Sequence, residues 1–146
     1  MVLEPEKFSD APTDFIKNAI DRKPIIINGT GEQLRSYCYV DDAVKGMVMA
    51  LKSDDANSET INIGHQFNLI SLNDLAKLVC KTVGVSEEII TNDLDFSDRD
   101  QSREIFERCP DTSKARDLIG FEAKIGMEEA IKNIMEESSF NENWPT

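Results

Sequence analysis

Gln33 and Arg35 stand two residues apart, behind a Gly29-Thr30-Gly31 turn and ahead of the acidic pair Asp41-Asp42. The two glycines permit backbone conformations closed to other residues, and Arg35 presents five donors in a planar fork. Asp41 or Asp42 can cap a following helix. These residues suit an edge that binds an anion, and they equally suit a hairpin-like connection carrying a solvated arginine. A second set of cations, Arg99, Arg103 and Arg108, lies in or beside the strongly charged stretch 92–107. Taken alone, that stretch reads as a solvated loop.

Other chemistry is harder to assemble. His65 is the only histidine, with no second histidine or neighbouring cysteine to complete a metal site, and reads as a loop or surface residue. The carboxylate pairs Asp41-Asp42, Asp54-Asp55 and Glu87-Glu88 are adjacent in sequence, so their side chains diverge in regular structure. Capping and solvation explain them better than acid/base work. Gly29-Thr30-Gly31 lacks both the lysine of a phosphate loop and the third glycine of a dinucleotide fingerprint.

The elements that must hold these residues are legible from periodicity. Phe15, Ile16, Ala19 and Ile20 recur at helical spacing from about Thr13, until Lys23-Pro24 stops the helix. Ile25-Ile26-Ile27 is a short, mostly buried strand, and 35–40 is extended, with Arg35, Tyr37 and Tyr39 on one face. From Asp41 a helix carries Val44, Met47, Val48 and Leu51 in one stripe, which periodicity assigns to the core. Thr60 to Gly64 alternates as a strand, and His65 to Leu69 is a loop. Ser71 caps a helix to about Val83 that Gly84 ends, with Asp74 completing a variant capping box. Glu88 to Thr91 is a short strand. Asp111, Thr112 or Ser113 caps a helix ended by Gly120, and a last helix runs from Gly126 to about Glu137. Residues 1–12 read as a loop leading into the first helix, 13–137 as one domain and 138–146 as a flexible tail.

Composition sets the outer bounds. A chain of 146 residues is long enough for one domain with a real core. Its formal charge of −12, from 28 acidic and 16 basic residues, argues against nucleic acid or an anionic membrane as a general partner. It leaves room for a small anion held by an arginine in contact. Cys38, Cys80 and Cys109 are odd in number and widely spaced, as reduced intracellular thiols are. With no long apolar run and no signal-peptide pattern at the N-terminus, the expectation is a soluble, cytoplasmic protein.

Several separated motifs, in order, carry a resemblance over about 13–136. They are Phe15-Ile-Lys-Asn-Ala-Ile20, Asn28-Gly-Thr-Gly-Glu-Gln33, Arg35-Ser-Tyr-Cys-Tyr-Val-Asp41, Asn62-Ile-Gly64, Arg108-Cys-Pro-Asp111 with Ser113-Lys-Ala115, and Leu118-Ile-Gly-Phe121. Together they resemble the C-terminal half of the extended short-chain dehydrogenase/reductases, the NAD-dependent nucleotide-sugar epimerases, dehydratases and decarboxylases. The fold this implies is α/β: a small mixed substrate-binding domain lacking most of the parallel Rossmann sheet.

By that likeness Arg35 and Arg108 bind the diphosphate of a nucleotide sugar, and Gln33 lies near the nucleotide. The strand at 60–63 would complete a sheet in a missing NAD-binding half. Without that half, the strand edge and part of the helix from Asp41 would be left open, to be covered by the missing half or by a dimer partner. Asn28 stands where the family often has an aromatic residue near the base, and Gly126 where a serine usually precedes the last helix. The family's glycine-rich NAD motif and Tyr-x-x-x-Lys pair are missing, since Asp41 and Ala43 follow Tyr37 and Tyr39 at that spacing. The resemblance therefore implies NAD in the complete enzyme, none bound by this chain alone, no catalytic residue carried here and no activity in isolation. A non-catalytic module that binds nucleotide sugars or regulates a partner is the alternative, together with a nonfunctional fragment.

Overall fold

The computed structural model describes residues 11–94 and 105–140, with side chains to 137. Arg99 and Arg103, the first ten residues and the tail beyond 140 lie outside the described residues. Helix α1 (Ala11–Ile20) opens on Pro12, which suits a first turn whose N–H groups have no helical partner anyway. It buries Phe15, Ile16 and Ala19. Strand β1 (Ile25–Asn28) buries Ile25 and Ile27 but leaves Ile26 exposed, so it alternates where a mostly buried run was expected. Strand β2 spans Leu34–Ser36, and helix α2 (Val40–Lys52) begins soon after.

Strand β3 (Leu69–Ser71) runs directly into helix α3 (Leu72–Val83). Ser71 ends the one and caps the other: its Oγ accepts from the Asp74 N–H at 3.0 Å and donates to Asp74 Oδ2 at 2.8 Å. Gly84, at φ 84°, closes α3 in the left-handed conformation that glycine adopts without steric penalty. A 3₁₀ turn leads into β4 (Ile90–Asp93), which pairs in parallel with β1. The short β5 (Glu107–Arg108), helix α4 (Ser113–Ile119) and helix α5 (Met127–Phe140) complete the chain.

The main core gathers Phe15 and Ile16 of α1, Ile25 and Ile27 of β1, Leu75 and Val79 of α3, and Ile131 of α5. Each such side chain, fully buried, contributes about 1.5–3 kcal/mol. A second cluster forms around Ala115, Phe121 and Ala123, with Ile61, Ile63 and Met49 against it. The second sheet has the order β3-β2-β5.

Four expectations change. The stripe on α2 is not core: Val44, Met47 and Leu51 are 51%, 61% and 87% exposed, and the face turned inward carries Asp42 and Gly46. Helical periodicity identifies an apolar face without saying what it meets. Residues 60–64 form no strand, because among the described residues no neighbouring strand pairs with them; Ile61 and Ile63 pack on the second cluster instead. A strand begins at Leu69, where the expected loop from His65 ends, since β2 supplies residues 69–71 with a partner. Finally, α5 continues through Phe140, into the expected tail.

Candidate functional site

Strand β2 is the middle of its sheet and sets the site. It pairs antiparallel with β3, Arg35 opposite Ile70, and parallel with β5, Arg35 beside Arg108. Neighbours in register project from the same face of a pleated sheet, with strands about 4.8 Å apart, so the ladder itself brings the two arginines together. The Leu34 N–H donates to the Phe106 carbonyl at 2.8 Å. Arg35 is half-buried, and its Nη1 donates to the carbonyls of Leu34 at 2.8 Å and Phe106 at 3.2 Å. Arg108 is exposed, and no described residue forms an ion pair with either guanidinium. Two cations on neighbouring strands, without a carboxylate partner among the described residues, are suited to a polyanion that several donors can grip at once.

Gln33 is placed differently. It lines a cleft of about 480 Å³ with Asn28 and Ile26 of β1, Leu72 of α3 and Asp14, Phe15 and Asn18 of α1. Neither arginine borders this cleft. The ladder thus unites Arg35 with Arg108, while Gln33 sits at the neighbouring mouth.

The turn before β2 is held from two directions. Asn73 Nδ2 donates to the Thr30 carbonyl at 2.9 Å, and Asn92 Nδ2 reaches that carbonyl at 3.0 Å and Asn73 Oδ1 at 3.1 Å. Gly31, at φ 72°, has no room for a side chain: a Cβ there would collide with Asn73 Oδ1 and lie 2.9 Å from Ile27 Cγ2. This tests the turn as a dinucleotide cradle, and it does not fit. The Gly29 N–H already donates to the Asp93 carbonyl at 2.8 Å, the second glycine abuts a side chain, and the turn leads into a strand instead of the N-terminus of a helix, where a pyrophosphate is bound.

The Arg108-Cys-Pro-Asp111 and Asn62-Ile-Gly64 motifs, far apart in sequence, form one contact. Asn62 Nδ2 donates to the Asp111 carbonyl at 3.0 Å, and a Cβ on Gly64 would lie 2.8 Å from Pro110. Gln66 Oε1 accepts from the N–H of Thr112 at 3.3 Å and from its hydroxyl at 3.1 Å. Asn62 and Gln66 therefore anchor the segment that carries Arg108, a role the sequence does not signal. The Ser113 side chain, and with it the Ser113 N–H that donates to Asp111 Oδ1 at 2.9 Å, hold the Asp111 carboxyl below its usual range.

Neither Asp41 nor Asp42 caps α2; Tyr39 occupies that position, without a side-chain cap. Asp42 is buried, and its Oδ2 accepts from the N–H groups of Lys124 and Ile125, both at 2.8 Å. Tyr39 is also buried and donates to Glu137 Oε1 at 3.1 Å; burial and that carboxylate push its hydroxyl pKa upward. His65 is in a loop, as expected, but buried. Its Nδ1 accepts from the Phe67 N–H at 3.3 Å, which places the proton of the neutral ring on Nε2. No group of three or more His, Cys, Asp or Glu suited to a metal occurs among the described residues, and no described helix is long and apolar enough to cross a membrane.

The mixed α/β fold is that of a partial domain of the extended short-chain dehydrogenase/reductases. The profile described as GDP-mannose 4,6 dehydratase matches residues 5–134, and the chain belongs to that family of nucleotide-sugar epimerases and dehydratases. It is 32% identical over 127 residues to UDP-glucuronate 4-epimerase of Thermodesulfobacterium geofontis, covering 87% of this chain and 37% of the relative. With UDP-glucuronic acid decarboxylase 3 of Arabidopsis thaliana it shares 30% identity over 135 residues, covering 91% and 36%. The chain thus spans little more than a third of the curated relatives it matches. Among solved structures, Pal from Bacillus thuringiensis superposes with TM-score 0.78 at 28% identity, covering 94% of this chain and 42% of that one. UDP-glucuronic acid 4-epimerase from Bacillus cereus, in complex with UDP-glucuronic acid and NAD, gives TM-score 0.75 at 26% identity, covering 89% and 40%.

Proposed function

We propose that this chain is the substrate-binding portion of an NAD-dependent nucleotide-sugar epimerase, dehydratase or decarboxylase, and that it clamps the nucleotide diphosphate between Arg35 and Arg108. The observation that carries the reading is the register of β2 and β5, which sets the two guanidinium groups on neighbouring strands. A diphosphate offers each of them oxygen pairs that match the fork of an arginine. Gln33, at the cleft it shares with Asn28, lies toward the nucleotide. Hydride transfer belongs to an NAD-binding half outside this chain, and what this chain supplies is orientation and binding energy.

Calorimetric titration tests this, using UDP-glucuronic acid and then UDP, dTDP and GDP sugars. Each charge-assisted hydrogen bond contributes about 1.5–3 kcal/mol, so Arg35→Ala weakens binding by at least about tenfold. Arg108→Ala has a similar effect. Equal affinity in wild type and Arg35→Ala would sink the phosphate role of Arg35. Failure of the wild type to bind any of these sugars would sink the whole reading.

A further inference from the structure

We infer that His65 is a positioning residue for the arginine pair: its neutral ring folds the turn 65–68 that joins the Arg35 strand to the Arg108 segment, and a proton on that ring releases the turn. The inference rests on the diphosphate clamp proposed above. Four consecutive residues reach three remote parts of the chain. The Ser36 hydroxyl donates to the His65 carbonyl. Asn68 accepts from the Tyr37 N–H at 3.4 Å through its carbonyl and donates to the Tyr37 carbonyl at 3.2 Å through Nδ2. Gln66, which holds Thr112, also accepts from the Cys109 thiol at 3.3 Å through its own carbonyl. Asn68 Nδ2 reaches the Ile125 carbonyl at 3.0 Å. Since Arg35 adjoins Ser36 and Arg108 adjoins Cys109, this one turn braces both arginines.

The turn is itself folded on His65. The His65 carbonyl accepts from the Asn68 N–H at 3.2 Å, and its Nδ1 accepts from the Phe67 N–H at 3.3 Å. The Phe67 ring stands edge-on to the imidazole, with centroids 6.3 Å apart. Protonation puts a hydrogen on Nδ1, so that two donors face each other, and burial of the ring limits the water that could separate them. Histidine is the side chain that ordinarily changes charge between about pH 5 and 8, and His65 is the only one in the chain. Neither the esterified diphosphate of a nucleotide sugar nor a sugar carboxylate titrates there. Around the turn, the strand segment contributes Arg35 and Tyr37, the segment after β5 contributes Arg108, Cys109 and Asp111, and the segment before α5 contributes Glu122 and Lys124. Among the described residues none of these forms an ion pair with the ring. Ser36 follows Arg35 on β2 and projects from the opposite face, so the turn lies behind the ladder and not in the place of the anion. A proton on His65 therefore acts on the clamp through the turn, and affinity falls where a cation in contact with the anion would raise it.

Calorimetric titration of UDP-glucuronic acid into the full chain at about pH 7.5 and about pH 5.5 tests the inference. Wild type loses affinity about three- to tenfold at the lower pH, the effect of one buried hydrogen bond. His65→Asn supplies an oxygen that accepts from the N–H two residues on and does not titrate, so it binds as wild type does at the higher pH and keeps that affinity at the lower. His65→Ala binds weakly at both. In the unliganded chain, NMR signals of the Ser36, Phe67 and Thr112 amides move together with those of the His65 ring as pH falls, and stay still in His65→Asn. Circular dichroism confirms that each variant is folded at both pH values. Wild-type affinity that is constant or rises on acidification would overturn the inference, as would the same loss of affinity in His65→Asn. So would Ser36 and Thr112 amides that stay still while the ring takes up its proton. If wild type binds no nucleotide sugar at either pH, the diphosphate clamp fails, and the amide signals still decide whether the turn is released.

Discussion

Removing the carboxylate of Asp42 should destabilise the domain far more than its place in the first turn of a helix suggests. Both of its 2.8 Å bonds go to backbone N–H groups of the segment before α5, and the side chain is buried. A hydrogen bond to an ionised group contributes about 1.5–3 kcal/mol. The pair is worth less than twice that, because Lys124 is exposed and Ile125 half-buried, so water can reach the freed N–H groups. Asp42→Ala should therefore lose about 2–4 kcal/mol, lowering the melting temperature by roughly 4–16 °C at the 2–4 °C per kcal/mol typical of a domain near this size. Asp42→Asn keeps an oxygen able to accept both bonds and should lose about half as much. Urea and thermal unfolding followed by circular dichroism measure both variants. If Asp42→Ala falls within about 0.5 kcal/mol of wild type, the carboxylate is not the tie between α2 and the segment before α5.

Gly46→Ala should destabilise, although alanine in an exposed helix interior gains about 1 kcal/mol over glycine. The added Cβ would lie 2.7 Å from Ile63 Cγ2 and 3.0 Å from the Phe121 ring, and overpacking of this kind costs about 1–3 kcal/mol; a melting temperature above wild type would contradict it. Tyr39→Phe should show a pH-dependent difference from wild type. The Tyr39 pKa is raised above its ordinary 10.0 in the folded chain, so its contribution is fully present below about pH 10 and is lost as pH rises through the folded value. The stability gap between wild type and Tyr39→Phe therefore narrows from pH 8 to pH 11, and a constant gap in urea titrations would refute the assignment.

What could be read from the sequence is what depends on near neighbours. Ser71 with Asp74, Gly84 and Gly120 each announce a helix boundary through contacts a few residues away, and each is found where expected. The family resemblance, carried by ordered motifs, also held. What depends on remote partners was not visible in local patterns. Asp42 looks like any acid in a first turn until the segment at 124–125 is folded against it. The apolar stripe of α2 has the periodicity of a core face, and only the tertiary arrangement turns Gly46 inward and Leu51 out. The resemblance anticipated that opening, where periodicity alone missed it. Likewise, Arg35 and Arg108 become neighbours through strand order and register, which no local pattern encodes.

The division of the apolar interior into two clusters has a consequence for how the chain opens. Phe15, Leu75, Val79 and Ile131 tie α1, α3 and α5 to one another, whereas Phe121 and Ala115 engage α4 and the inward side of α2. Cooperative units of unfolding follow such boundaries, so a fluctuation that lifts α2 away from Phe121 need not disturb the packing around Phe15. Because α2 follows directly on the strand that carries Arg35, that fluctuation would begin beside the arginine ladder, at the margin between a more rigid unit and a looser one.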